Sequence, residues 1–188
     1  KAFRGRNSLR LGAASPLASN EAASASDVSM VQFNLAASSV ENVRVTAATL
    51  KASGSGNDVT GVARVKLYKD VNFNGRLDGA DVQLGAPAGL TYAADDGTVA
   101  FTGLADVVNA GGVTSYLVAY DFGGAATPGQ TFAAAITGGA LVSAVGVTSA
   151  ATIVPGGTAM GAAKTIQTTG TLTVSLGAAN PLATNEAA

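Results

Sequence analysis

Apolar and polar residues alternate with a period of two along most of this chain, and that period commits it to strands, because successive side chains of an extended backbone point to opposite faces. Val31, Phe33 and Leu35 are separated by Gln32 and Asn34, and Val65 and Leu67 sit among Arg64, Lys66 and Tyr68. The pattern continues through Val99 and Phe101, through Phe132, Ala134 and Ile136, through Leu141 to Val147, and through Leu172, Val174 and Leu176. Val43, Val45 and Ala47 give way to Ala48, Leu50 and Ala52, a change of phase that predicts a bulge inside one long strand. Val113 to Phe122 is apolar on both faces, as a central strand would be. Glycine-rich or turn-forming separators, among them Gly54-Ser-Gly-Asn57, Asp95-Asp-Gly97, Gly123-Gly124, Thr127-Pro-Gly129 and Pro155-Gly-Gly157, divide these runs. The fold expected is all-β, an antiparallel β-sandwich. Only Ala159 to Ala163 leaves room for a helical turn.

The 188 residues suffice for one domain and a connecting segment. Aromatic residues make up 5% and Trp is absent, so the core has to be built from small aliphatic side chains in closely approached layers. Charged residues are 12% with a formal net charge of −1, which provides no general attraction for nucleic acid or an anionic membrane. The absence of Cys excludes disulfides and thiolate metal sites. No run of about 20 apolar residues is present, so membrane insertion is not expected. Lys1, Arg4, Arg6 and Arg10 form a basic stretch without the apolar run of a leader peptide; it reads as a solvated segment or as a contact with a neighbouring subunit or anionic surface. With neither His nor Cys, the commonest general base and nucleophile pairs are missing. Acids outside the loop described below are few, Glu21, Glu41, Glu186 and scattered Asp, so the chain is not expected to be an enzyme.

An internal repeat organises the chain. Gly12 to Ala23 returns as Gly177 to Ala188 with ten of twelve positions identical, and Pro16 and Pro181 stand 165 residues apart. A period of that length is too long for a solenoid unit of about 20–50 residues, so each period is a whole domain. The expected divisions are 1–12, a basic segment and first strand; 13–169, the sandwich; and 170–188, a terminal strand or linker that repeats 5–23 and either opens the next repeat or docks on a neighbour as an added strand. Both alternatives predict head-to-tail assembly of the chain with copies of itself.

Asp70-Val-Asn72-Phe-Asn74-Gly75-Arg76-Leu-Asp78-Gly-Ala-Asp81 puts oxygen-bearing side chains at loop positions 1, 3, 5, 9 and 12 and glycine at 6. Calcium takes six to eight oxygen ligands, and donors at every second residue converge when the chain wraps the ion. Asp70, Asn72, Asn74, Asp78 and Asp81 are the candidate side-chain ligands, Arg76 offers its backbone carbonyl, and Gly75 allows the sharp reversal. Asn74-Gly75 also reads as a simple hairpin turn, which accounts for only two of these residues. Asp95-Asp96-Gly97 is expected as a hairpin turn, with a second metal ligand as its alternative; Asp58, shortly before the loop, is only a minor candidate for an outer ligand. Tyr68, Tyr92, Tyr116 and Tyr120 are expected to support packing rather than to stack on sugars.

The loop resembles the calcium loops of dockerin modules, which also end in Asp, and the Asp-x-Asn-x-Asn-Gly loops between strands in repeated Ig-like β-sandwich domains of large bacterial surface proteins. It departs from EF-hands because Val65 to Tyr68 before it and Val82 to Leu84 after it read as strand or short turn, not as paired helices. The resemblance implies bound Ca2+ and an extracellular or cell-surface location. The function expected is a structural repeat or subunit of an extracellular filament, stalk or sheath. The alternative is a calcium-dependent adhesin or carbohydrate-binding module with surface glycans as partners.

Overall fold

The chain is described here by a computed structural model covering residues 6–168. Lys1, Arg4, the run Leu172, Val174 and Leu176, and the second copy of the repeat lie outside the described residues. The strands are β1 (Ser8–Leu11), β2 (Ser19–Ala22), β3 (Val28–Ala36), β4 (Val43–Gly54), β5 (Val62–Lys69), β6 (Val82–Leu84), β7 (Thr98–Val108), β8 (Val113–Phe122), β9 (Thr131–Ile136), β10 (Val142–Gly146), β11 (Thr152–Ile153), β12 (Ala159–Met160) and β13 (Lys164–Gln167). One short helix, α1 (Asp58–Gly61), lies between β4 and β5.

These strands form a sandwich. The first sheet runs β1-β3-β8-β5-β6, and the second β11-β10-β4-β9-β13-β2, with β7 on β4 and β12 on β9. Pairing is antiparallel except between β13 and β2, which run parallel. Val31, Phe33 and Leu35 of β3, Val65 and Leu67 of β5, and Tyr116, Val118 and Tyr120 of β8 enter the core cluster along with Leu50, Phe101, Phe132 and Ile136 of the second sheet. Phe33 stacks on Tyr116 with ring centroids 5.1 Å apart. The phase change in β4 is a real irregularity: its register with β7 shifts between Val45 and Ala47, so that Val43, Val45, Ala48, Leu50 and Ala52 are all buried. β8 is central as expected, between β3 and β5.

Two details differ from expectation. Ala159-Met160 pairs with β9 as a strand, because its backbone groups find a ladder there that an isolated helical turn could not offer. Asp95-Asp96-Gly97 turns the chain, with Gly97 N–H donating to Ala94 O, but it joins β6 of one sheet to β7 of the other and closes no hairpin. β1 is the edge strand of the first sheet, paired with β3 from Ser8 opposite Ala36 to Leu11 opposite Phe33.

The path of the chain sets the ends of the sandwich. β1 starts opposite Ala36, at the Val113 end of β8. β2 and β13 finish side by side, Ala22 opposite Gln167. Ala25 N–H donates to Ala22 O, and Phe122 N–H to Ala25 O, which puts that finish at the Val28 and Phe122 end. The nine residues of β3 separate the two ends by about 30 Å at ~3.3 Å per residue.

Candidate functional site

Lys69 pairs with Val82, so residues 70–81 are the whole connection between β5 and β6. Both flanks are strands, as the sequence indicated. The loop is organised by its first residue. Asp70, 1% exposed, accepts Gly75 N–H on Oδ2 at 2.9 Å and Asn74 N–H on Oδ1 at 3.2 Å. Gly75 has φ +69°, and a Cβ there would collide with the carbonyl oxygen of Ala14; glycine answers both the conformation and the close approach.

Asp78 is the second focus. Its Oδ2 accepts the side-chain amides of Asn72 at 3.0 Å and Asn74 at 2.7 Å, and its Oδ1 accepts Ala80 N–H at 2.8 Å. The Ala80 amide first, then the two asparagines, hold its carboxyl below the ordinary carboxylate range. Asp81 Oδ2 accepts Asp78 N–H at 3.0 Å, and its Oδ1 accepts Val71 N–H at 3.3 Å, closing the loop on itself. Asn72 and Asn74 each turn the backbone through their own carbonyl oxygens, Asn72 Oδ1 accepting Asn74 N–H at 3.2 Å and Asn74 Oδ1 accepting Arg76 N–H at 2.7 Å. The structure therefore brings Asn72, Asn74 and Asp78 together by direct side-chain contact and ties Asp70 and Asp81 to the same turn. The Arg76 side chain is exposed, which leaves its part to the backbone carbonyl.

Asp70, Asp78 and Asp81 are not drawn into mutual contact as carboxylates. Among the described residues, Asp58, Asp95 and Asp96 each bring one carboxylate oxygen to within 4.8 Å of the others, a grouping that could hold a metal ion. In the loop, the amides of Asn72 and Asn74 stand against Asp78 and spare it a carboxylate neighbour. Asp58 is accordingly no outer ligand of the loop: α1 places it against Asp95, whose Oδ1 accepts the Asp58 N–H at 3.2 Å.

Gln32 was not a candidate from sequence, where it is one more polar residue of an alternating strand. It is 2% exposed and joins three segments. Its Nε2 donates to Asp70 Oδ2 at 2.6 Å, its Oε1 accepts Ala14 N–H at 3.1 Å, and its N–H donates to Ser15 Oγ at 3.1 Å. Ala14 and Ser15 belong to the first copy of the repeat. Farther along, Leu77 N–H donates to Ser29 Oγ at 3.1 Å, so the loop lies back along β3. Leu117 and Ala119 of β8, opposite Gln32 and Ser29, are fully buried although outside the cluster between the sheets. An open groove runs between residues 13–19 and the loop at Asn74, Gly75 and Arg76, with Lys164 at its floor; the Lys164 ammonium donates to Leu17 O.

Tyr92, Tyr116 and Tyr120 are buried and act in packing. The Tyr92 and Tyr120 hydroxyls share a hydrogen bond of 2.5 Å, and Tyr116 donates to Asp106 Oδ2 at 2.7 Å. Burial first, in all three, pushes their hydroxyls above the usual tyrosine range.

No protein-family model matches the chain, and no curated protein is significantly similar to it. Two solved structures show distant likeness. One is the sixth cohesin of scaffoldin B from Acetivibrio cellulolyticus, solved with a mutant Cel5 dockerin: 13% identity over 87% of this chain and 100% of that one, TM-score 0.34. The other combines a manganese lipoxygenase of Gaeumannomyces graminis with part of a zonadhesin of Komagataella pastoris: 12% identity over 86% of this chain and 49% of that one, TM-score 0.25. Likenesses of that size carry no functional argument. The class defined by the coordinates is a β-sandwich, and no helix among the described residues is long and apolar enough to cross a membrane.

Proposed function

We propose that this chain is a non-catalytic structural repeat of an extracellular filament, stalk or sheath, joined head to tail to copies of itself and stabilised by calcium in the 70–81 loop. One observation carries the reading: the first copy of the repeated segment, Gly12 to Ala23, is built into its own sandwich, following directly on β1 and containing β2, and the chain reaches β1 at one end and leaves β13 at the other. A unit threaded in this way adds its successor along one axis. The second copy, Gly177 to Ala188, is then the opening of a following unit rather than a strand lent to a neighbour.

Calcium suits the loop by the chemistry of the donors, all of them hard oxygens: the carboxylates of Asp70, Asp78 and Asp81, the amide carbonyls of Asn72 and Asn74 and the main-chain carbonyl of Arg76. Each asparagine carbonyl already accepting one N–H has a second lone pair for an ion. Binding would replace the two amide contacts on Asp78. The link from Asp70 through Gln32 to Ala14 and Ser15 passes that rigidity to the segment at which one unit meets the next. Extracellular modules commonly bind calcium at about 10⁻⁴ to 10⁻³ M, which agrees with a location outside the cell.

Electron microscopy of a chain carrying two complete units at the 165-residue offset tests the assembly. The expected particle is a straight rod with an axial repeat of about 30–40 Å per unit, from the strand length that spans the sandwich. Hinged or side-by-side pairs of globules overturn the axial arrangement. Isolated globules that bind a glycan array select the adhesin instead.

A further inference from the structure

A second cluster of acids lies away from the loop, where the β4–β5 and β6–β7 connections meet. Asp58 is the first residue of α1; its neighbour Asn57 caps that helix by accepting Val59 N–H at 2.9 Å. Asp95 and Asp96 sit in the turn before β7, Asp96 with φ +50°, a left-handed conformation that costs a residue with a Cβ and is held only where its surroundings require it. The backbone is what holds the group together. Asp58 N–H and Asp96 N–H both donate to Asp95 Oδ1, at 3.2 and 3.1 Å, and Asp96 N–H also reaches Asp58 Oδ2 at 3.1 Å. Lys51 donates to the Asp96 carbonyl, not to a carboxylate.

The group is left short of positive charge and of donors. Asp58 is fully buried, and its Oδ1 has no hydrogen-bond partner. Buried oxygens of this kind are normally satisfied, and an orphaned one calls for an ion or other ligand. Asp95 and Asp96 are exposed, so the cluster opens to solvent on one side and a cation can reach it. Three carboxylates within 4.8 Å repel one another unless a cation or a proton intervenes. Burial, with the Asp95 and Asp96 charges adding to it, holds the Asp58 carboxyl up at about 6.

We propose that Asp58, Asp95 and Asp96 bind a calcium-sized hard divalent cation, which ties the β4–β5 connection to the β6–β7 connection at the Phe122 end of the sandwich. The ion gives the unpartnered Asp58 Oδ1 a partner and offsets the charge of the three acids. One carboxylate comes from one connection and two from the other, so the ion cross-links two segments that each pass between the sheets. This site is independent of the 70–81 loop and of the reading built on that loop.

Native mass spectrometry with calcium alone, on the full chain, counts the ions. Asp95→Asn with Asp96→Asn keeps one acceptor oxygen at each position, enough for the N–H groups that Asp95 Oδ1 accepts, and removes two charges at exposed positions, with circular dichroism as the check that the fold is kept. The expected result is one calcium fewer per chain than the parent, or at least tenfold weaker binding of that ion. In an Asp70→Ala background, one calcium persists and the same pair of substitutions removes it. Unchanged stoichiometry and affinity in the Asp95→Asn, Asp96→Asn chain overturns this site. Unchanged binding in Asp70→Ala counts against the loop instead, which keeps the two failures apart.

Discussion

Gln32 lies where the alternation of β3 puts a polar side chain on the outer face, yet residues 12–15 and the 70–81 loop close over it and bury it. Its amide then serves three partners, Asp70, Ala14 and, through its own N–H, Ser15. Gln32→Ala leaves the buried Asp70 carboxylate and the Ala14 N–H each one partner short, so a loss of about 1–3 kcal/mol in urea unfolding is expected; a loss within error would show that the contact is idle. Glu41 illustrates a residue whose role is electrostatic. Its carboxylate accepts Ser149 Oγ at 2.6 Å, Ser149 N–H at 3.0 Å and Thr148 N–H at 2.9 Å, and the Ser149 hydroxyl first, then these amides, lower its pKa below 4.5. A folded value below the unfolded one means that the pairing stabilises fully above pH 4.5 and is lost as pH falls through the folded value. Carbon-detected NMR should therefore place the Glu41 midpoint below 4.5, and Glu41→Gln should flatten the acid limb of stability; a midpoint at or above 4.5 contradicts the assignment. Neither role was legible in the sequence, because each depends on partners brought together from far along the chain.

At the level of elements, local pattern sufficed wherever the physics is local. Period-two alternation located β3, β5 and β9, the phase change in Val43 to Ala52 located the β4 bulge, and the doubly apolar run located the central β8. The spacing of Asp and Asn marked the loop between β5 and β6, and its strand flanks followed from Val65 to Tyr68 and Val82 to Leu84. What escaped was pairing. Asp95-Asp96-Gly97 has the composition of a hairpin turn, but whether a turn joins neighbours or crosses between sheets is decided by long-range contacts; the same is true of Asp58, whose partners are 37 and 38 residues away. The junction between the loop and the repeat segment is the most exacting element. At Gly75, with φ +69° and the Ala14 carbonyl against the missing Cβ, alanine meets both backbone strain and collision. Gly75→Ala is expected to cost about 2–4 kcal/mol, read as a lower midpoint in thermal unfolding, whereas Gly79→Ala, with open space around its Cβ, should stay within about 0.5 kcal/mol of the parent.

Across the whole molecule, the sandwich and the clamp on its outer face meet at the repeated segment: Gly12 to Ala23 follows β1, contains β2, and is held at Ala14 and Ser15 by Gln32 and the 70–81 loop. On the proposed reading, a calcium ion bound by the folded loop and not by the unfolded chain would stabilise by about 2.7 kcal/mol at a hundredfold excess over its dissociation constant. For a domain of this size that corresponds to about 5–10 °C in melting temperature. The direct measurement is calorimetric melting of the Asp95→Asn, Asp96→Asn chain in millimolar calcium and in chelator, with and without Asp70→Ala. With Asp70 intact, the chain should melt some 5–10 °C lower in chelator; Asp70→Ala should melt low in both and gain nothing from calcium. Coincident melting curves in calcium and in chelator with Asp70 intact would contradict a calcium-held loop, whatever Asp70→Ala loses through its hydrogen bonds to Gly75, Asn74 and Gln32.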